Sequence, residues 1–271
     1  MAAGHSPLGH VVDHPTIDVP YFGEVIHLPK IPLGFATVQV TRFMVMELIA
    51  AVVVAAIVIP LARHAAKNRV TRGPLHNAFE ALILFVRDEI ARPAIGGHGA
   101  DQYTPFLLTA FFFILFNNLL GLIPMGASAT GDINVTGVLA VMVLVTVIAA
   151  GIRQSGPLKF WTSVVPQLDV PILIKPPLWL LMFVIEWAGL LIRHAVLAIR
   201  LFANMLAGHL VLAVILGFAV EVTTLLWYVV APASVFGGVA MSMLELLVAF
   251  LQAYVFTFLA ALFIGTAVHP H

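Results

Sequence analysis

Five long apolar runs, separated by short polar connections, dominate the pattern of hydrophobic and polar positions along the chain. They cover about residues 43–62, 103–124, 133–152, 176–218 and 222–268. Each run is longer than the ~18 apolar residues that mark a candidate membrane helix, because ~20 helical residues span the hydrocarbon core of a bilayer. The pattern therefore predicts an all-α polytopic membrane protein with about five membrane helices.

The last two runs are too long to cross a bilayer along its normal. No proline interrupts the fourth run between Pro177 and Phe218, and the whole run as a helix would be about 64 Å long, against ~30 Å for the hydrocarbon core. The fifth run is nearly as long, although Pro232 can kink its start. We predict two long, tilted helices that form an antiparallel hairpin with its turn near residues 217–222; a break in the fourth helix is the alternative.

The charges that flank the first run predict the orientation of the chain in the membrane. A basic cluster follows this run, whereas the residues before it carry more acidic than basic side chains. By the positive-inside rule the N-terminus lies outside, and five spans then put the C-terminus in the cytoplasm. The basic cluster consists of Arg63, Lys67, Arg69 and Arg72.

Two segments outside the apolar runs have patterns of their own. Residues 1–38 are polar, which predicts an extramembrane N-terminal arm ahead of a membrane domain of residues 39–271. Residues 75–92 mix apolar positions with charged ones such as Glu80 and Arg87, which predicts an amphipathic helix at the cytoplasmic interface. Because the arm has no early apolar core, we expect the first span, and not a cleaved signal peptide, to target the chain to the membrane.

Composition narrows the class of protein further. Hydrophobic residues make up 61% of the 271 residues and charged residues only 10%, well below the ~25% of soluble domains, as a membrane protein requires. The formal net charge is zero, so nothing points to nucleic acid as a partner. The chain has no cysteine, which excludes disulfides, cysteine-bound metal clusters and thiol catalysis. We predict no cofactor and no metal site.

One arginine stands in one of the most apolar stretches of the chain. Arg200 lies within the run from Trp187 to Phe218, and its guanidinium stays charged at any ordinary pH. At bilayer depth such a charge costs at least ~2.5–3.5 kcal/mol, so an ionisable residue there is by default a functional-site hypothesis. The last two runs hold further polar residues, namely Glu186, Asn204, His209, Glu245 and Gln252.

Helical geometry sorts these residues into levels along the membrane. Glu186 falls within about 40° of Arg200 around an ideal helix, whereas His209 falls on the opposite face. If the last two helices pair so that Arg200 lies opposite Gln252, then His209 comes level with Glu245. A fixed positive charge with protonatable groups on both sides suggests proton traffic that the charge interrupts.

Four segments of the chain resemble the signature segments of one family. The strongest resemblance is carried by residues 197–210, LAIRLFANMLAGHL, and 246–256, LLVAFLQAYVF. Residues 116–124, FNNLLGLIP, and 132–136, DINVT, resemble middle helices of the same family. That family is subunit a of the F-type ATP synthase, and the resemblance extends over about residues 40–268.

The resemblance implies a proton-translocating stator subunit beside a rotating ring of c subunits, each with one carboxylate at mid-membrane. Two offset aqueous half-channels lead protons to and from that carboxylate. The arginine of the motif, here Arg200, separates them, so that proton flow is coupled to ring rotation and ATP synthesis. Matching the motifs gives the other site residues: Asn204 and Gln252 as polar neighbours, His209 and Glu245 in the outer half-channel, and Glu186 in the cytoplasmic half-channel.

The same resemblance implies partners and a location. The expected partners are the c-subunit ring, the b-subunit peripheral stalk, membrane lipid and, indirectly, the catalytic head of the complex. The expected location is the bacterial plasma (inner) membrane, for a multi-pass chain that performs no covalent catalysis; it has no GxxxxGK[ST] phosphate-binding loop. The c-subunit carboxylate carries the coupled cation, so H⁺ and Na⁺ both stay open.

The chain departs from the family pattern at a few positions. Many bacterial members carry Glu where this chain has His209 and His where it has Glu245. This exchange keeps one acid and one imidazole at the same level. Ala203 stands where glycine is common, and Gly121 stands where some members have an acid, so no relay role is assigned to Gly121.

Three other classes of function compete with this interpretation. An independent secondary transporter would be expected to show an inverted repeat or a pair of discontinuous helices, and neither is visible. A b-type haem protein could use His194 and His209, but the last apolar run offers no facing histidine before His269. An intramembrane enzyme would need a catalytic constellation, and the chain has neither HExxH nor GxSxG.

Overall fold

The computed structural model describes residues 16–18, 25–32, 37–67, 73–122, 128–163, 171, 175–222 and 225–269. Most of these residues are helical. In chain order the α-helices are α1 (Arg42–Lys67), α2 (Pro74–Leu84), α3 (Arg92–Ile95), α4 (Gly97–Gly121), α5 (Ile133–Ser155), α6 (Pro157–Ser163), α7 (Lys175–Glu221) and α8 (Trp227–Val268). A π-helical segment, Phe85–Ala91, joins α2 to α3, and a 3₁₀ turn, Ala129–Gly131, precedes α5.

Five of these helices are long and apolar enough to cross a membrane. They are α1, α4, α5, α7 and α8, and the prediction of an all-α polytopic membrane protein with about five membrane helices is confirmed. With 47 residues, α7 is ~70 Å long, more than twice the thickness of the hydrocarbon core. Because α7 runs without interruption from Lys175 to Glu221, the alternative of a break in this helix was wrong.

The second membrane helix begins earlier than its apolar pattern predicts. Although the apolar run begins near residue 103, α4 begins at Gly97. Gly96 has a φ of 92° and so separates α3 from α4, a conformation that favours glycine. Arg87 of the π-helical segment then donates a hydrogen bond of 2.8 Å to Asp101 in the first turns of α4. That bond and the charge of Asp101 raise the pKa of the Arg87 guanidinium.

The last helix begins later than predicted, at Trp227 instead of near residue 222. A short turn precedes it, in which the N–H of Tyr228 bonds the carbonyl of Leu225. Pro232 lies inside α8 without ending it. Proline at this position removes one intrahelical hydrogen bond, the one to the carbonyl of Tyr228, and the helix continues through it.

The described residues between 16 and 39 contain four short strands that the hydrophobic pattern did not reveal. Each strand has three residues, too few for a period of two to stand out from its neighbours. They form two antiparallel pairs, β1 with β2 and β3 with β4. The strands are β1 (Thr16–Asp18), β2 (Val25–His27), β3 (Lys30–Pro32) and β4 (Thr37–Gln39).

By its internal contacts the chain divides into two compact units, whose boundaries fall inside helices. The first unit consists of residues 1–63, 112–135 and 201–253, and the second of residues 64–111, 136–200 and 254–271. In the first unit, the second half of α7 packs against the first half of α8. A Cβ atom placed on Gly238 would lie 3.2 Å from Leu216, and one placed on Gly208 would meet Glu245. Gly238, early in α8, therefore lies next to Leu216, late in α7, and Glu245, later in α8, lies next to Gly208, earlier in α7. These two parts of the helices are antiparallel.

The second unit is held by close packing of glycines and rings. Gly265 of α8 lies so close to Ala94 of α3 that a Cβ atom on Gly265 would collide with the Ala94 carbonyl oxygen. His269, just after α8, forms a 3.0 Å hydrogen bond to the Ile95 carbonyl. Trp161 of α6 stacks on Trp187 of α7 with 4.7 Å between ring centroids. The end of α8 is therefore fixed to the junction of α3 and α4.

Replacing Gly265 by alanine is expected to destabilise the chain. The added methyl group overlaps the Ala94 carbonyl, and overpacking of this kind lowers the free energy of unfolding by about 1–3 kcal/mol. Gly137→Ala in α5 is the matched control, because no atom lies within 4 Å of its added Cβ. Thermal unfolding of the purified protein in detergent should show a lower midpoint for Gly265→Ala only. Equal midpoints would contradict the packing described here.

Candidate functional site

The first unit contains a cavity between the C-terminal end of α4, the second half of α7 and the first half of α8. Its volume is about 140 Å³, and apolar side chains form most of its wall. The polar residues of the wall are Asn118, Asn204 and Glu245. The remaining lining residues are Leu122, Met205, Ala207, Gly208, Val211, Met241, Leu244 and Val248.

Glu245 reaches the cavity because α7 has a glycine at the point of contact. Its carboxylate lies against Gly208, and a Cβ atom at Gly208 would collide with Glu245 Oε1. The other carboxylate oxygen, Oε2, is buried and has no hydrogen-bond partner among the residues that the structure describes. A buried polar atom without a partner carries a free-energy cost, so the fold does not stabilise this carboxyl fully.

His209 follows Gly208 on α7 but faces a different neighbour. Its Nε2 atom would lie 3.3 Å from a Cβ atom placed on Gly121 of α4. That Nε2 atom is also buried without a hydrogen-bond partner in the described part of the chain. Glu245 of α8 thus contacts α7 at the level of His209 but on a different side, because Gly208 and His209 are consecutive residues and point ~100° apart.

Asn118 is a polar residue of the cavity that sequence reasoning missed as a site residue. Its side chain is 0% exposed, and its Oδ1 accepts a 2.7 Å hydrogen bond from Thr130 Oγ1 in the turn before α5. Thr130 Oγ1 in turn lies 2.6 Å from Ser128 Oγ. The signal in the sequence was a pair of asparagines inside an apolar span, but only the fold shows that Asn118 lines the cavity and Asn117 does not.

The other residues predicted for the site lie apart from this cavity wall. Gln252 is two helical turns beyond Glu245 on α8 and only 5% exposed; its Nε2 has no hydrogen-bond partner in the described ranges. Glu186 is half-buried on α7 in the second unit. The pairing of Arg200 with Gln252 stays a prediction.

Arg200 lies close to the middle of α7, with 25 helical residues before it and 21 after it. Its side chain is exposed, and it forms no ion pair with a described residue. The ion pairs Arg87–Asp101 and Arg92–Asp88 lie on other elements. Within the described residues, no group of three or more histidine, aspartate or glutamate side chains could hold a metal ion.

Comparison with known proteins identifies the family to which the chain is similar. The sequence model of the family described as "ATP synthase A chain" matches residues 44–265. The "ATP synthase subunit a" of Chloroherpeton thalassium is 41% identical over 262 residues, which cover 96% of this chain and 75% of the relative. The protein of the same description from Anaeromyxobacter dehalogenans is 38% identical over 286 residues, covering 98% of this chain and 70% of the relative.

Five apolar helices with buried polar side chains between them define a multi-pass membrane protein with an internal polar site. The chain belongs to the ATP synthase A chain family, which confirms the resemblance carried by the segments around Arg200 and Gln252. Membership in this family makes it a membrane subunit of the ATP synthase, and its relatives named above are bacterial.

A methyl group at Gly208 should displace the carboxyl group of Glu245. In Gly208→Ala the new Cβ would collide with Oε1 of Glu245, so Glu245 must turn out of this buried contact. The change should lower the free energy of unfolding by about 1–3 kcal/mol and increase the labelling of Glu245 by a carbodiimide, measured by mass spectrometry. Gly217→Ala on the same helix has no atom within 4 Å of its Cβ and should label like wild type. Equal labelling of Glu245 in both variants would refute this contact.

Proposed function

We propose that this chain is the proton-translocating stator subunit of an F-type ATP synthase and stands beside a ring of c subunits. Two offset half-channels carry protons to and from the ring carboxylates, and Arg200 separates the half-channels. Proton flow then requires rotation of the ring, which couples it to ATP synthesis. The chain itself carries out no covalent chemistry.

The exposed guanidinium of Arg200 is the observation that supports this proposal most strongly. It sits midway along a membrane-length helix without an ion-pair partner in the described chain. A guanidinium facing hydrocarbon costs at least ~2.5–3.5 kcal/mol, so a group from another chain must meet it. Ala203 and Ala207 are exposed on the same side of α7, and small side chains allow a partner helix to approach closely. A ring carboxylate at mid-membrane meets both requirements.

The cavity of the first unit supports an outer half-channel. It brings the carboxyl of Glu245 together with the amide of Asn204, and it is closed on the side of α4 by Asn118. His209 lies at the same level of α7, and an imidazole titrates close to neutral pH. One acid and one imidazole at one level can pass a proton towards the ring.

We assign Glu186 to the cytoplasmic half-channel. It is half-buried on α7 and lies fourteen residues before Arg200, which is about 21 Å along the helix. A carboxyl at that distance is well removed from the level of Glu245 and His209, as two offset half-channels require. Asn204 and Gln252 then serve as the polar neighbours of Arg200.

The proposed orientation puts the N-terminus outside and the C-terminus in the cytoplasm of a bacterial plasma membrane. The basic cluster of residues 63–72 supports it through the positive-inside rule. In the assembled complex, the partners would be the c-subunit ring at α7 and α8, the b-subunit peripheral stalk and, indirectly, the catalytic head.

Arg200→Ala should uncouple proton flow from ATP hydrolysis. In membrane vesicles that contain the assembled complex, ATP-driven acidification should fall by more than about tenfold, because the barrier between the half-channels is gone. Passive proton conductance after removal of the catalytic head should survive or rise. Arg193→Ala, on the same helix and also exposed, is the matched control and should pump like wild type.

Two outcomes would refute the role of Arg200. If Arg200→Ala pumps near the wild-type level, its charge is not the barrier. If both arginine variants lose pumping and passive conductance equally, the loss reflects the general need for a charge on α7 and not the separation of two half-channels.

A further inference from the structure

Five aromatic rings of α6 and α7 form a continuous row in the second unit, and an exposed lysine stands at each end of it. We propose that this ring row, with its lysines, binds the phosphate group of an anionic phospholipid in the cytoplasmic leaflet of the membrane. The inference lies outside the proton pathway and rests on the proposed function only for the orientation of the chain. The five rings are Phe160, Trp161, Trp179, Phe183 and Trp187.

The short helix α6 is folded so that its polar and aromatic side chains stay at the surface. Gly156, with a φ of 84°, ends the path of α5, and α6 begins directly after it. The ring of Phe160 fills the space beside Gly151 of α5, where a Cβ atom would collide with it, and Phe160 is only 5% exposed. Its neighbours Lys159 and Trp161 are both exposed. Phe160 therefore anchors α6, while a cation and an indole face outwards.

Direct ring contacts connect α6 to the first turns of α7. Trp161 stacks on Trp187 with 4.7 Å between the ring centroids, and Phe160 meets the same indole edge-on at 6.4 Å. Phe183 lies 6.2 Å from Trp187 and stacks on Trp179 at 5.4 Å. All four separations are typical of favourable aromatic pairs. The ring row thus follows α7 for eight residues, which is about 12 Å.

Two indoles of the row remain open to the surroundings. Trp161 is 46% exposed and Trp179 is 36% exposed, and neither indole N–H has a hydrogen-bond partner in the part of the chain that the structure describes. Tryptophan is enriched at membrane–water interfaces, where its ring lies in an apolar layer and its N–H reaches the headgroups. The side chains between the rings on α7 are apolar and exposed, namely Leu180, Leu181, Val184 and Ile185.

The charged side chains of the segments that carry the row are all positive. Arg153 at the end of α5, Lys159 of α6 and Lys175 at the start of α7 are exposed. No acidic residue occurs in residues 137–163 or 175–185. Neither Arg153 nor Lys175 forms an ion pair with a residue of the described ranges. Cations and indole donors without a neighbouring acid complement a phosphate group, and such basic segments attract anionic lipids.

A phospholipid matches both parts of this surface, whereas a soluble anion matches only one. Its phosphate meets the lysines and the indole N–H groups, and its acyl chains cover the exposed rings and the apolar side chains between them. Binding holds the ring row at the level of the headgroups, so that α7 enters the hydrocarbon after Trp187. Arg200 follows thirteen residues further on, about 20 Å along the helix.

Quenching of tryptophan fluorescence by brominated lipids tests this site in the full chain, reconstituted in phosphatidylcholine vesicles. In a Trp227→Phe background every remaining tryptophan belongs to the ring row. Phosphatidylglycerol with brominated acyl chains should quench at a lower mole fraction than brominated phosphatidylcholine. In the double variant Lys159→Gln/Lys175→Gln this preference should fall about fivefold for each lysine removed. Lys159→Arg/Lys175→Arg keeps both charges and should retain the preference.

Arg63→Gln is the matched control for the loss of a cation. Arg63 is exposed on α1 in the first unit, away from the ring row in the chain, so its variant should retain the preference for phosphatidylglycerol. Equal quenching by the two brominated lipids in the Trp227→Phe background would overturn the proposal. A preference that survives in Lys159→Gln/Lys175→Gln, or that Arg63→Gln weakens as strongly as the double variant does, would also overturn it.

Native mass spectrometry of the assembled complex, purified from membranes that contain phosphatidylglycerol, tests whether a lipid or another subunit covers the row. The wild type should retain at least one more phosphatidylglycerol than Lys159→Gln/Lys175→Gln, and equal retention would contradict the site.

Lipid selection and proton pumping fail independently of each other. If Arg200→Ala pumps near the wild-type level while phosphatidylglycerol is still selected, the proposed function is wrong and the lipid site stands. If Arg200→Ala abolishes pumping while the lysine variants select lipid like wild type, the lipid site alone is wrong. Because the vesicles hold the same lipids in both leaflets, the quenching result does not depend on the orientation of the chain.

Discussion

The positive charge of Arg200 halfway along α7 constrains the rest of the molecule. The helix around it is apolar and 47 residues long, so the guanidinium cannot reach water by bending its side chain to a helix end. Within the described chain it has no ion-pair partner. An exposed cation in hydrocarbon costs at least ~2.5–3.5 kcal/mol, and the exposed alanines Ala203 and Ala207 that follow Arg200 leave space for a partner helix to approach. The proposed function supplies that partner as a carboxylate of the c-subunit ring.

Small residues on the long helices allow polar side chains to enter the interior. Gly208 makes room for the carboxyl of Glu245, and Gly121 makes room for the imidazole of His209. Both groups keep a buried atom without a hydrogen-bond partner in the described ranges. In a purely structural role such atoms would only lower the stability of the fold. In the proposed proton pathway they are the atoms that bind and release the proton. The glycines that make room for these side chains therefore determine where the pathway can run.

The number and length of the membrane helices could be predicted from the apolar runs, because run length directly measures the span of a bilayer. The polar residues of α7 and α8 could be found because a polar side chain in an apolar run is conspicuous. The direction of His209 towards Gly121 and the contact of Asn118 with Thr130 could not be predicted. Both depend on the packing of α4 and its connection to α5, which no periodicity within one helix encodes. The start of α4 was missed because Gly96 fixes it through backbone conformation and not through hydrophobicity.

A cryo-EM map of the assembled complex would test the central claim most directly, by measuring the distance from the guanidinium of Arg200 to the nearest carboxylate of another chain. The proposed function predicts that the exposed side of α7 around Arg200 faces the c-subunit ring. In at least one rotational state, a ring carboxylate should lie within about 4 Å of the guanidinium, or be joined to it by one water. A map in which Arg200 instead pairs with an acid of its own chain, such as Glu186, while the ring contacts another face would contradict the account.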